Sequence, residues 1–374
     1  MGLLNPRYSA GVMRMSGARV CLMSRPALAG SGLLLFATAM AAWSSTPSAV
    51  ISAPRNAATE ISLKPIGGGT EEELRRMGAA TSEVQVALLP ADVLKVVEAQ
   101  VGLIRGGISP GPIDGIMGAQ TEAALRAFQE KYELRVTGVI DKLTRSNLTV
   151  MEPLFVSYTV TSNDLARLLT VPGTWLGKSL LPRLDYETIL ELVAEKSQAH
   201  TKLIQALNPS AIWTNMTNGA SVIIPNTQLP LATTKAGFVQ IKLGERILQA
   251  FDVETNLIVQ FPCSIGQRVE KRPVGELHVA VVAPNPNYTF DPAIFPESSE
   301  GQELGRKLIL QPGPNNPVGT VWIGLDKPGY GIHGTPLPEK VGRTESHGCF
   351  RLANWNAEYL LKLVTIGTPV FVQP

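Results

Sequence analysis

From Lys235 to Pro374 the chain is built of short runs of β-branched and aromatic residues. They are FVQIKL (238–243), RILQAFDV (246–253), LIVQFPCSI (257–265), LHVAVVA (277–283), TVWIGL (320–325) and GTPVFV (367–372). Glycine, asparagine and proline separate them. Runs this short do not sustain a helix, and their apolar side chains are buried only if the strands pair and share a core. The segment ANWNAEYLLKLV (353–364) departs from this texture, with Ala357, Leu360, Leu361 and Val364 along one helical stripe. The spacing predicts a mainly-β domain over 235–374, about 140 residues and a normal size for one core.

Upstream the period changes. Within 88–150, PADVLKVVEAQVGLI places Val93, Leu94, Val97, Ala99 and Val101 near one face, and TEAALRAFQEKY does the same with Ala124, Leu125, Phe128 and Tyr132. GGISPGPIDGIMG (106–118) between them is a shaped loop. Ile113-Asp114, Thr121 and Leu125 recur as Ile140-Asp141, Thr144 and Leu148, so in each copy the Asp or Thr is expected to cap the following helix. Residues 155–226 open with a strand, continue through two helical stretches and close with SVIIP, which predicts a βααβ unit. His200 there reads as a helix-surface or partly buried residue.

At 374 residues the chain has room for two or three domains, and 44% hydrophobic with 17% charged residues fits ordered globular structure rather than a many-span membrane protein. The net charge of +2 comes from the start, where Arg7, Arg14, Arg19 and Arg25 precede Ala42 with no acidic residue. Without those four, the 33 basic residues no longer outnumber the 31 acidic ones, and no basic stripe asks for nucleic acid. The basic start and the apolar ALAGSGLLLFATAMAAW (27–43) read as an export signal over 1–42, with an uncleaved anchor as the alternative. Residues 43–87 read as a disordered linker. The body is therefore expected outside the cytoplasm, in the periplasm or cell envelope.

Cys21 falls in the export segment, which leaves Cys263 and Cys349. Cys263 lies in an apolar strand and is expected to be a buried thiol. A Cys263–Cys349 disulfide is the alternative in an exported protein. Cys349 has chemistry around it: GRTESHGCFRL (342–352) gathers Ser346, His347, Gly348 and Arg351, and His333 ends a strand-like run in YGIHGT sixteen residues earlier. A thiol attacks as its thiolate and needs a base, and the oxyanion formed needs donors. His333 is the better base, because His347 points away from Cys349 on extended backbone. N–H groups around Gly348 and Cys349 could form an oxyanion hole. Arg343 and Arg351 could lower the thiol pKa and hold a substrate carboxylate. One Cys and two His make too few ligands for a structural zinc site, so neither metal nor cofactor is expected.

Three stretches resemble known families. PGPIDGIMGAQTEAALRAFQEKYEL with TGVIDKLTRSNL resembles a three-helix peptidoglycan-binding domain, which implies wall-glycopeptide binding. LVAEKSQAHTKLIQALNP with GASVIIPN is similar to a LysM module, a family that binds N-acetylglucosamine-containing glycan strands, although an insertion near VPGTWLGKSLLPRLD interrupts the likeness. YGIHGT with VGRTESHGCFRLAN, GPNNPVGTVWIGL and IGTPVFV resembles the L,D-transpeptidase (YkuD) catalytic domain across most of 235–374. The chain then reads as multidomain: a small all-α domain, an α+β module and a mainly-β, sandwich-like catalytic domain with its cysteine at a cleft rim.

The last resemblance implies that Cys349 acylates on a peptidoglycan tetrapeptide stem during cell-wall biogenesis and passes the acyl group to an amine of another stem or a lipoprotein. Transfer to water, and a wall binder without activity, are the alternatives. His333 would be the base, oriented by the Gly334 region, with His347 shaping the site and Ser346 on the substrate. Carbapenems would acylate Cys349. Phe350 and Asn356 depart from the family pattern beside the nucleophile and put substrate detail in question.

Overall fold

The computed structural model describes residues 89–148, 153–266, 272–295, 297–343 and 348–374. The expected export segment (1–42) and the whole of the expected linker (43–87) lie outside these residues, and so do Ser346 and His347.

Helices Ala91–Arg105, Ala119–Lys131 and Lys142–Asn147 form the first region. Ala124, Leu125 and Phe128 pack on Leu103 and Ile108, as their spacing predicts. The internal echo has a physical basis that centres on glutamine. Gln100 Nε2 donates to Asp114 Oδ1, Ile116 O and Thr121 Oγ1, while Gln129 Nε2 donates to Thr137 Oγ1, Val139 O and Thr144 Oγ1. Each buried amide thus ties one loop to the helix after it. Asp141 caps its helix, accepting from Thr144 N at 2.8 Å. Asp114 does not, because its carboxylate turns back onto Ile116 N at 2.9 Å and Gly118 occupies the cap.

In the next region β1 (Phe155–Thr159) pairs antiparallel with β2 (Ser221–Pro225), and helices Ile189–Lys196 and Thr201–Leu207 lie between them. His200 caps the second of these, its Nδ1 accepting from Lys202 N. A short helix, Ser162–Ala166, follows β1, and the insertion supplies another, Trp175–Ser179.

The C-terminal region is one mixed sheet rather than two stacked ones. It uses β3 (Phe238–Lys242), β4 (Ile247–Phe251), β5 (Leu257–Pro262), β6 (Gly275–Pro284), β9 (Val321–Leu325), β10 (Gly331–His333), β11 (Phe350–Arg351) and β12 (Pro369–Gln373). The order is β11-β10-β9-β6-β12-β3-β4-β5. The sandwich-like expectation gives way because this sheet curls until its edges meet. Ser264 N donates to Arg351 O and Arg351 N to Ser264 O, both at 2.9 Å, which joins the end of β5 to β11. Curling hides both edges and encloses a core of Val239, Ile241, Phe261, Ile323, Ile332 and Phe350, closed by helix Asn354–Leu363. Fully burying a side chain such as Phe350 contributes about 1.5–3 kcal/mol. Phe350 therefore faces the interior and not the substrate.

A separate hairpin, β7 (Tyr288–Phe290) with β8 (Leu308–Leu310), stands off the sheet. The insertion packs on it. Trp175 stacks on Phe290 with centroids 4.3 Å apart, and the Glu300 carboxylate accepts from Trp175 N and Leu176 N, both at 2.8 Å.

The three regions are joined by backbone hydrogen bonds. Ser109 N donates to Gln260 O at 2.8 Å and Gln260 N to Gly107 O at 3.1 Å. Leu184 N donates to Pro312 O, and Asn315 N to Leu184 O, at 2.9 Å each. Asn356, whose identity breaks the family pattern, is buried at this junction with Nδ2 donating to Ser109 Oγ at 3.2 Å. Its departure serves the packing of the helical region on the sheet.

Candidate active site

Strand register assembles the site. β10 and β11 run parallel with Ile332 opposite Phe350 and His333 opposite Arg351. Alternation sends Ile332 and Phe350, both fully buried, into the core. The same alternation places His333 and Arg351 on the opposite face, and Cys349, the residue just before β11, two positions from Arg351. Neighbours two residues out of register on adjacent strands lie roughly 7–8 Å apart, a gap that side chains span. On the other side of His333, the opposing residue of β9 is Trp322, whose ring stacks on the imidazole at 5.7 Å between centroids.

His333 is held by its neighbour. Nδ1 lies 2.7 Å from Gly334 O, and a carbonyl only accepts, so Nδ1 carries the proton and Nε2 keeps its lone pair. Burial pushes the imidazole pKa down from 6.5 to about 4, and Arg351 adds to that effect against the pull of the Gly334 carbonyl. The imidazole is therefore neutral, and Nε2 can accept a proton.

Cys349 is partly buried and Cys263 fully buried, and both are free thiols, so the bridge between them is not formed. Burial raises the Cys349 pKa, while a Gly331 backbone hydrogen bond and the Arg351 charge lower it less. Arg351 thus lowers the thiol pKa as expected, and desolvation outweighs it. Sγ lies 3.5 Å from Gly329 O.

Gly348 takes φ 153°, a conformation that side chains disfavour, and packs so closely on Gly266 that a Cβ there would lie 3.0 Å from Gly348 Cα. Arg343 does not join the nucleophile. Its guanidinium lies 4.0 Å from Asp114 of the helical region. Ser346 and His347 lie outside the described residues.

Sequence reasoning missed three participants. Tyr288 of β7 is near enough that burial and the Cys349 charge push its phenol up to about 12, with Arg351 opposing. Trp322 stands inside a run legible as a strand, but its stacking depends on register. Asn354 was read only as helix, yet its Oδ1 fills the space beside Gly334 and Gly319, where a Cβ would approach to 2.2 and 2.0 Å.

Comparison with known proteins follows this geometry. Residues 236–372 match the family model of the L,D-transpeptidase catalytic domain (YkuD), and 94–148 match that described as “Putative peptidoglycan binding domain”. “Putative L,D-transpeptidase YkuD” of Bacillus licheniformis is 27% identical over 188 residues, 50% of this chain and 94% of that protein. “Putative L,D-transpeptidase YqjB” of Bacillus subtilis is 34% identical over 118 residues, 30% of this chain and 57% of the relative. “Probable L,D-transpeptidase YbiS” of Escherichia coli is 28% identical over 183 residues, 48% of this chain and 58% of the relative. The chain thus spans nearly all of the first protein and less than two thirds of the other two.

Proposed function

Residues 236–372 are an L,D-transpeptidase catalytic domain, and from that premise we propose that Cys349 carries the acyl group of a peptidoglycan stem. The observation that carries the reading is the β10–β11 register, which sets His333 and Arg351 side by side on the face that Cys349 adjoins.

Cys349 Sγ attacks the carbonyl carbon between the third and fourth residues of a tetrapeptide stem while His333 Nε2 takes the thiol proton. The oxyanion is met by the N–H groups of Gly348 and Cys349. Collapse breaks the peptide bond, His333 returns the proton to the departing D-alanine amine, and a thioester remains. An acceptor amine then attacks the thioester carbonyl, His333 takes its proton, and sulfur leaves to be reprotonated as a thiol. Arg351 binds a carboxylate of the substrate in bidentate fashion. A carbapenem acylates the same sulfur.

The helical region, which matches the peptidoglycan-binding model, and the LysM-like unit hold stems and glycan near Cys349, an avidity effect without new catalytic contacts. The wall substrate places this work outside the cytoplasm.

Incubation of the full-length protein with disaccharide-tetrapeptides, followed by mass analysis of muropeptides, tests this. The expected result is D-alanine release with 3–3 cross-linked dimers, which identify a stem amine as acceptor. Tripeptide monomers alone would identify water, and dimers containing a lipoprotein's terminal lysine, when that protein is added, would identify a protein acceptor. Unchanged tetrapeptide under all conditions contradicts the reading.

A further inference from the structure

The carbonyl that fixes the tautomer of His333 is itself fixed, and the chain of contacts leaves the catalytic domain. Gly334 N donates to Val321 O at 3.2 Å, and Gly334 Cα abuts Asn354 Oδ1, with no room there for a Cβ. Asn354 is fully buried. Its Oδ1 accepts from Thr320 N at 3.2 Å, and its Nδ2 donates to Pro314 O at 3.2 Å and to Glu195 Oε1 and Oε2 at 3.1 and 3.3 Å. Glu195 belongs to helix Ile189–Lys196 of the preceding region and also accepts from Tyr186 OH at 3.3 Å.

A carboxylate is an expensive choice at this position. Burial, with Glu358 and Glu191 nearby, pushes Glu195 up to about 8, against hydrogen bonds from Asn354 and Tyr186 that favour its anion. A hydrophobic residue would fill the junction at lower cost. What the carboxyl group adds is acceptor oxygen aimed at the Asn354 N–H₂ group, beside Thr320 N and Pro314 O. That fixes which way the Asn354 carboxamide faces, and hence that its oxygen, not its nitrogen, meets Gly334.

We propose that Glu195 is a positioning residue for the transfer reaction, acting from outside the catalytic domain through Asn354 and the Gly334 carbonyl to hold the His333 imidazole in its reactive tautomer and orientation. The inference rests on the assignment of His333 as the base. It makes the βααβ region part of the active site as well as a wall-directed module.

Full-length Glu195→Leu, Glu195→Gln and Glu195→Asp test it, with kcat and KM on soluble disaccharide-tetrapeptide and side-chain ¹⁵N spectra of the histidines. Glu195→Leu keeps bulk without acceptors, and its kcat is expected to fall about 10- to 100-fold with KM unchanged, as for a small misplacement of a reacting group. Its His333 signals should show both tautomers. Glu195→Gln retains an acceptor oxygen and should keep kcat and the single tautomer. Glu195→Asp keeps the carboxyl group but falls short of Asn354, so it should lose kcat and decides the matter if the leucine variant does not fold. Wild-type kcat in the leucine or aspartate variant, or an equal loss in the glutamine variant, would overturn the proposal. Because Cys349→Ala is run beside them, a failure of the nucleophile assignment would show separately, as turnover in that variant.

Discussion

Cys349→Ala abolishes D-alanine release and cross-link formation while leaving sacculus binding intact. The expected loss in kcat is on the order of 10⁶-fold, the size seen when a covalent catalyst loses its nucleophile. Two features make the effect large. The second thiol cannot substitute, because Cys263 is fully buried in the sheet core and burial drives its pKa far up. Nor is the remaining imidazole expected to activate water well, since the proposed transfer has it take the proton of the Cys349 thiol. Binding survives because the helical and βααβ regions bury their own cores away from β11. Quantified muropeptides and sacculus pull-down check both halves, and turnover in the variant would move the nucleophile elsewhere.

His333→Gln is the second large effect, expected at about 10²- to 10⁴-fold in kcat, the usual contribution of a general base. Its pH signature is more informative than its size. The native imidazole titrates near 4 and not 6.5, so the base stays neutral across the physiological range. The Cys349 thiol is shifted the other way, upward. The resting pair is therefore thiol with imidazole, and the thiolate ultraviolet band assigned by difference against Cys349→Ala should be missing at neutral pH. A band already present there would mean a preformed ion pair. The same shift has a stability consequence with a definite sign. Below 6.5 the unfolded chain takes up a proton that folded His333 refuses until about 4, so stability present above 6.5 is lost as pH falls through that window. In His333→Gln this part of the acid sensitivity should vanish, which thermal melts from pH 7 to 4 can measure.

Much of the fold was legible because period is a local property. The alternating runs became β3, β4, β5, β6, β9 and β12, and Val239 with Ile241, or Val370 with Val372, are buried at every second position. His333 and Cys349 stand out as candidates because rare residue types gather around a glycine. What failed were expectations that depend on partners far along the chain. Arg343 looks like a site residue from its place beside Cys349, but Asp114 lies across from it. Phe350 adjoins the nucleophile in sequence and is turned from it by strand alternation. The pull of Arg351 on the thiol is readable from sequence, while the burial that outweighs it is invisible in a string of letters. Glu195 lies 159 positions from Asn354, so no window of sequence joins them. The curl of the sheet was hidden for the same reason, since Ser264 and Arg351 meet only once all eight strands are in place.

The proposed chemistry passes through a single sulfur, and peptide mapping of a trapped acyl-enzyme tests it most directly. After brief exposure to a carbapenem, the intact protein should gain the mass of one inhibitor, and fragmentation should place it on Cys349. Retention of the unmodified mass, or an adduct on any other residue, would contradict it.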